Sequence, residues 1–203
     1  MSKNDLVLYH IGFSRSTATL WMLEELGEPY IVCPVNKDRE TRDPSFLRIN
    51  PLNKVPALIH NGKIITEATA ICLYLAEVFP QAGLGVEIGS EHRADYLKWS
   101  FLTPSCLEPA ILDQMYERKE IPVGSSGWGD FNQLMNYISD ELSKNEFIIG
   151  DRFTSADIVL ASQLGWGLMV GKVPTTPEIT SYMNRMDQRA ARKRVFDMEE
   201  RRS

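Results

Sequence analysis

No two cysteines in this sequence stand close enough to work as a pair. Cys33, Cys72 and Cys106 lie far apart and none belongs to a Cys-x-x-Cys motif, so the chain offers neither a redox dithiol nor a disulfide framework. They read as reduced core or cleft thiols of a cytoplasmic chain. Histidine is equally sparse: His10, His60 and His92 lack metal-ligand spacing, which argues against a metal site and for core or surface roles. Positive charge is in deficit, with 22 Lys and Arg against 27 Asp and Glu and a formal net charge of −5. That excludes broad nucleic-acid affinity, because neutralising phosphates requires a basic face. Long apolar runs are missing as well. The longest, Ile158 to Gly171, is broken by Ser162 and Gln163 and is too short to cross a bilayer. Met1 to Asp5 carries no apolar stretch of the secretory kind. Gly83-Leu84-Gly85 does not make a dinucleotide fingerprint, and Gly12-Phe13-Ser14-Arg15-Ser16 lacks the last glycine of a hydrolase elbow. No internal repeat or low-complexity tract occurs.

What is present is ordinary globular composition, 43% hydrophobic and 24% charged over 203 residues, enough for two compact domains or one larger one. Leu6-Val7-Leu8-Tyr9 has the form of a buried parallel strand. The polar cluster Ser14 to Thr17 follows, and then an apolar face from Leu20 to Leu26 that stops at Gly27, as a helix with a glycine C-cap does. Tyr30 to Cys33 is a second strand. Strand, helix, strand implies a right-handed βαβ unit. Asp43-Pro44 caps and opens a short helix that ends at Asn50-Pro51. Asn61-Gly62 between Leu58-Ile59 and Ile64-Ile65 predicts a tight hairpin, since a type I′ turn needs φ > 0 at both central residues. Pro56 suits a strand's first residue, where its X-Pro bond has access to the cis form. Ala68, Ile71, Cys72 and Leu75 then repeat at helical spacing, with Thr66 as the expected N-cap and Glu67 at the positive end of the helix dipole. The order through residue 79 is β-α-β-α-β-β-α.

After a break at residues 80–90 the pattern is wholly helical from 91 to 203. One long helix is expected from Glu91 to about Lys119, kinked or interrupted by Pro104 and Pro109, and another from about Gly129 to Ser143. Thr154-Ser155-Ala156-Asp157 reads as a capping box with Phe153 and Ile158 as its staple, which makes Asp157 a folding acid. The helix beyond it is apolar nearly all round and belongs at the centre of this domain. A short helix opens at Pro177. A last one runs from Asp187 to about Glu199, with Arg189, Arg192, Lys193 and Arg194 expected on a solvated face.

This element order is that of a thioredoxin-like fold, followed by an all-α domain. Over essentially its whole length the chain resembles the cytosolic glutathione S-transferase family, and within it the serine-type bacterial and fungal branch. The resemblance is carried by Ser14-Arg15-Ser16 before Leu23 to Gly27, by Asn50 to Leu58, by Thr66-Glu67-Ala68 with Ala70-Ile71 and Tyr74-Leu75, and by Phe153 to Ile158. It implies glutathione as co-substrate, no metal, a small hydrophobic electrophile, a homodimer, and a detoxifying transferase in the cytoplasm. Carried over by position, Ser14 activates the thiol, with Ser16 as alternate, and His10 falls about where tyrosine-type members carry their tyrosine. Val55 would pair its backbone with the cysteinyl part of glutathione, and Pro56 would be cis. Glu67 and the helix N-terminus behind it would meet the γ-glutamyl end. Lys54, with Lys37 or Arg42 as weaker candidates, would meet the glycyl carboxylate. Many relatives have serine where this chain has Ala68, so that contact falls to backbone N–H groups and Thr69. Phe13, Phe101, Leu102 and Cys106 would line the electrophile site, with Trp99 nearby. Ser14 also has a plain reading as a helix-capping serine. Two other functions stay open: a non-catalytic binding protein of the same fold, and a glutathione-dependent peroxidase.

Overall fold

The computed structural model describes residues 5–116 and 122–201. They divide into two compact units, one of residues 1–83 with 189–203 and the other of residues 84–188. In the first, β1 (Leu6–His10) leads into α1 (Ser16–Leu26), β2 (Ile31–Pro34), a 3₁₀ turn over Pro44–Arg48, β3 (Ala57–His60), β4 (Lys63–Thr66) and α2 (Ala68–Val78). The sheet order is β2-β1-β3-β4, with β1 parallel to β2 and antiparallel to β3. This is the thioredoxin-like arrangement that the order of elements predicts. Leu6, Leu8 and His10 face inward from β1, while Tyr9, on the other face, packs against Phe46 with ring centroids 5.4 Å apart. The hairpin turns at Asn61 and Gly62 with φ of 50° and 79°, as a type I′ turn requires. Asp43 caps the 3₁₀ turn by accepting the Ser45 N–H.

α1 is held by more than its own apolar face. Leu20, Trp21, Met22 and Leu23 are fully buried, each large aliphatic side chain contributing about 1.5–3 kcal/mol by leaving water. An additional helix, α8 (Ala190–Glu200), belongs to this first unit and packs along α1. The basic residues at and after its N-cap form the expected solvated face only in part. Arg189 forks onto both Glu25 oxygens at 2.6 and 2.8 Å, and Arg194 pairs with Glu24. Arg192 is buried, its guanidinium 4.5 Å from the ring centroids of both Trp21 and Phe196, a stacking that suits a planar, weakly hydrated cation. Lys193 and Arg194 keep the expected exposure.

The second unit is helical. α3 (Arg93–Leu102) runs through a π-helical turn at Thr103–Leu107 into α4 (Glu108–Tyr116). Pro104 therefore interrupts the long helix by widening it rather than by ending it, since proline removes one donor from the α-pattern. The expected end near Lys119 lies outside the described residues. α5 (Phe131–Lys144) is capped by Asp130, which accepts from the N–H groups of Asn132 and Gln133. α6 (Ser155–Met169) is buried along most of its length, and α7 (Pro177–Gln188) packs against α5 and α6. Gly167 lets Val173 approach: a Cβ there would stand 2.4 Å from a Val173 methyl and 2.9 Å from Ile111. Tyr96 is fully buried and its hydroxyl meets the Ser155 hydroxyl at 2.6 Å. Among the described residues no helix is long and apolar enough to cross a membrane.

Candidate active site

Strand register gathers the predicted residues of the first unit at one end of its sheet. Tyr9 is opposite Ala57, and Ala57 is opposite Thr66. The loop leaving β1, the segment approaching β3 and the exit of β4 therefore lie side by side, bringing Ser14, Val55-Pro56 and Glu67 to the same edge. The Val55–Pro56 peptide is cis. Val55 precedes the β3 ladder, which begins at Ala57, so its N–H and C=O are not used in strand pairing.

Glu67, not Thr66, is the N-cap of α2, with φ 71° and ψ 116° and no capping bond from its side chain. A left-handed glutamate is uncommon and costs on the order of 1–3 kcal/mol, a kind of strain found at ligand-holding turns. The carboxylate is left exposed beside the first-turn N–H groups, where an anion-binding helix end begins. Ala68 is half-buried and Thr69 is buried. Lys54 is exposed; its carbonyl accepts from the Asn50 side-chain amide at 2.8 Å. Arg42, a weaker candidate for the same role, is buried, and its N–H groups are bound to Asn36, Lys37 and Asn53. It builds the loop that carries Lys54 and is not open to a ligand.

At the N-terminus of α1 two hydroxyls stand 2.7 Å apart, those of Ser14 and Ser16. Ser14 donates to the Ile11 carbonyl at 2.6 Å and accepts the Ser16 N–H at 3.2 Å; the N-cap of α1 is Arg15, so Ser14 stands one residue outside the cap, half-exposed. Ser16 is fully buried; its hydroxyl lies 2.8 Å from His10 Nδ1. The other ring nitrogen, Nε2, is 3.3 Å from Glu199 on α8. Glu199 also accepts from the Thr17 hydroxyl at 2.6 Å and from the Phe13 N–H at 3.1 Å. Burial pushes its carboxyl upward, but hydrogen bonds from His10 and Thr17 outweigh that, and the net shift is downward. Phe13 adopts φ 49°, and its side chain is half-exposed.

Glu199 and Thr17 were not visible as site residues in the sequence. The available signal was the spacing Arg192, Val195, Glu199, one stripe of a helix, which places the acid on the same buried face as Val195. The remaining predicted residues belong to the second unit. Phe101 is exposed, Leu102 is half-buried, and Cys106 is half-buried with its thiol donating to the Gly127 carbonyl at 3.4 Å. Trp99 is core, stacked on Tyr137 at 5.1 Å. Of the other thiols, Cys72 is sealed in the core of the first unit, where burial pushes it up to about 12, and Cys33 is half-buried.

Comparison with known proteins agrees with this architecture. The family model for the glutathione S-transferase N-terminal domain matches residues 4–77, and that for the C-terminal domain matches residues 129–190. Glutathione S-transferase GstA of Escherichia coli O157:H7 is 26% identical over 90% of this chain and 92% of its own. Glutathione S-transferase 3 of Schizosaccharomyces pombe is 27% identical over 75% and 70%. A solved sphingomonad glutathione S-transferase, complexed with glutathione, superposes with a TM-score of 0.79 at 26% identity, over 96% of this chain and 98% of that one. Sequence motifs, sheet topology and both domain models agree: the chain belongs to the glutathione S-transferase family.

Proposed function

We propose that this protein is a glutathione transferase, conjugating the glutathione thiolate to small hydrophobic electrophiles in the cytoplasm. The observation that carries the proposal is the convergence at one sheet edge of Ser14, Val55 before a cis proline, and the left-handed Glu67. In this reading Val55 takes the cysteinyl backbone as an added strand would. Glu67 attracts the γ-glutamyl amine, the N–H groups beginning at Ala68 and Thr69 hold its carboxylate, and Lys54 meets the glycyl end. The sulfur then lies against the Ser14 hydroxyl at the positive end of α1.

The chemistry requires an ionised thiol. A thiol with pKa near 8.5 is only a few per cent thiolate at pH 7, and lowering it by about two units means roughly 2.7 kcal/mol of preferential stabilisation. A hydroxyl donor and a helix N-terminus supply interactions of that size. Of the two serines Ser14 is favoured, because Ser16 is sealed from solvent. Phe13, Phe101, Leu102 and Cys106 remain the candidates for electrophile contacts, Phe13 and Phe101 by virtue of aromatic surface left about half accessible.

Retention on immobilised glutathione followed by turnover of an aryl halide tests the proposal, and a protein that shows neither overturns it. Retention without turnover supports the non-catalytic reading, which the lost hydroxyl at Ala68 favours. Turnover of a hydroperoxide but no halide would reassign the activity to a peroxidase.

A further inference from the structure

We propose that His10 and Glu199 are positioning residues of the thiol site: through Ser16 and Ser14 they draw the glutathione proton inward and turn both hydroxyls toward the sulfur. The inference rests on the transferase reading and adds a path for the proton, which that reading leaves unassigned.

The hydrogen bonds fix most of the directions. An ionised carboxylate only accepts, and Glu199, its side chain wholly buried, faces three donors: the Thr17 hydroxyl, the Phe13 N–H and His10 Nε2. Its downward-shifted pKa is consistent with the ionised form. His10 therefore carries a hydrogen on Nε2, and in the ring's neutral form Nδ1 is an acceptor. Ser16, 2.8 Å away, then donates to Nδ1, and its oxygen accepts the one Ser14 hydroxyl proton at 2.7 Å when that proton turns from its other acceptor, the Ile11 carbonyl at 2.6 Å. In that arrangement every hydroxyl proton points inward, away from a ligand.

A glutathione thiol arriving at Ser14 reverses the chain. The S–H bond breaks and its proton joins the Ser14 oxygen; the Ser14 proton passes to Ser16, and the Ser16 proton passes to His10 Nδ1. One S–H bond is lost and one N–H bond is formed. Both serines remain neutral hydroxyls, and the products are a thiolate and an imidazolium beside Glu199. Now His10 donates to Ser16, Ser16 to Ser14, and Ser14 to the sulfur. The ion pair offsets the charge that burial would otherwise penalise. Among the described residues, Glu199 is the charged side chain hydrogen-bonded to the ring. Among the charged residues of α8 facing α1, Arg189 and Arg194 are engaged with Glu25 and Glu24, and Arg192 stacks on Trp21.

Gly12 is an independent sign that the carboxylate is fitted to this place. Its backbone passes so close to Glu199 that a Cβ would stand 2.9 Å from Oε2. Any side chain at position 12 would push the acid off the ring.

Glu199→Gln keeps the shape but presents an amide N–H₂ to donors that need an acceptor. The test is the ultraviolet titration of bound glutathione thiolate, read together with the protons released to a weakly buffered indicator dye on binding. For the wild type we expect fewer protons released than thiolates formed. In E199Q the bound thiol should titrate about one pH unit higher, a roughly tenfold loss of thiolate below its pKa, and each thiolate that does form should release its proton to solvent. Gly12→Ala supplies a milder form of the same perturbation and keeps the test alive if E199Q folds poorly; it should shift the titration in the same direction by a smaller step. Wild-type titration and proton release in both variants overturns the inference while leaving the transferase reading intact. A wild type that ionises no bound glutathione overturns both.

Discussion

Removing the Asp157 carboxylate should damage the fold far more than the loss of a helix cap does. A surface N-cap is worth about 0.5–2 kcal/mol, but Asp157 is fully buried and ties three segments together. One oxygen accepts the Thr154 N–H at 2.8 Å, and the other accepts the Ile148 N–H at 2.8 Å and the Tyr182 hydroxyl of α7 at 3.0 Å. Asp157→Ala strands these donors at about 1–3 kcal/mol each, and with partial relaxation the expected loss is about 3–5 kcal/mol. For a chain of this size that lowers Tm by roughly 6–20 °C. Asp157→Asn should fare little better, because its amide N–H₂ must face a donor. The pH dependence has a definite sign. Burial, against those hydrogen bonds, pushes Asp157 up to about 6 from an ordinary value of 3.8. A raised carboxyl contributes stability that is complete below the unfolded value and is lost as pH rises through the folded one. The wild-type advantage over D157N should therefore narrow between about pH 4 and pH 6. Thermal melts of the wild type and both variants across that range check this, with conjugation kinetics of the folded fraction expected to be unchanged. A D157A protein that melts within about 0.5 kcal/mol of wild type would refute the reasoning.

Ser14→Ala is expected to lower kcat/KM for conjugation by roughly 10- to 1000-fold while changing glutathione affinity much less, the size of one charge-assisted hydrogen bond in a preorganised site. Ser16→Ala, one step further from the sulfur, should cost less; full activity in S14A with loss in S16A would exchange their roles. Glu67→Gln should raise the KM for glutathione and leave Tm nearly unmoved, since the carboxylate is exposed and holds no cap; an unchanged KM would remove Glu67 from the site. In solution we expect a homodimer of about twice the 23.1 kDa chain mass, to be checked by light scattering at micromolar concentration. Phe101, exposed on α3, is one apolar residue available to a partner, and a single species at the chain mass would rule the dimer out.

Features set by neighbours in the sequence were legible before any coordinates. Asn61-Gly62 demands its turn because few other residues accept left-handed backbone, and Thr154 with Asp157 announces a helix start three residues apart. The sheet followed from the apolar runs and their punctuation. What escaped was set by distant contacts. Thr66 looked like the cap of α2, but the chain turns one residue later, at Glu67, and no local propensity favours glutamate there. Arg192 and Glu199 carry charges that read as solvent-facing until Trp21 and His10 are placed against them. Likewise, Tyr96 and Arg42 have the chemistry of contact residues, and only packing shows that Ser155 and Asn53 already engage them. Ser14 was legible as a position, whereas the hydrogen-bonded chain behind it was not.

The return of α8 to the first unit also bears on how the protein is made. His10 and Glu199 are 189 residues apart, and bringing such distant points together in a flexible chain costs about 4–5 kcal/mol beyond a constant. At a synthesis rate of about 5–20 residues per second, the sheet and α1 leave the ribosome roughly 5–20 s before α8 does. During that interval the nascent first unit lacks the helix that covers Trp21 and anchors His10. A ribosome-stalled chain ending before residue 189 should therefore hold a sheet that has formed without the His10–Glu199 contact.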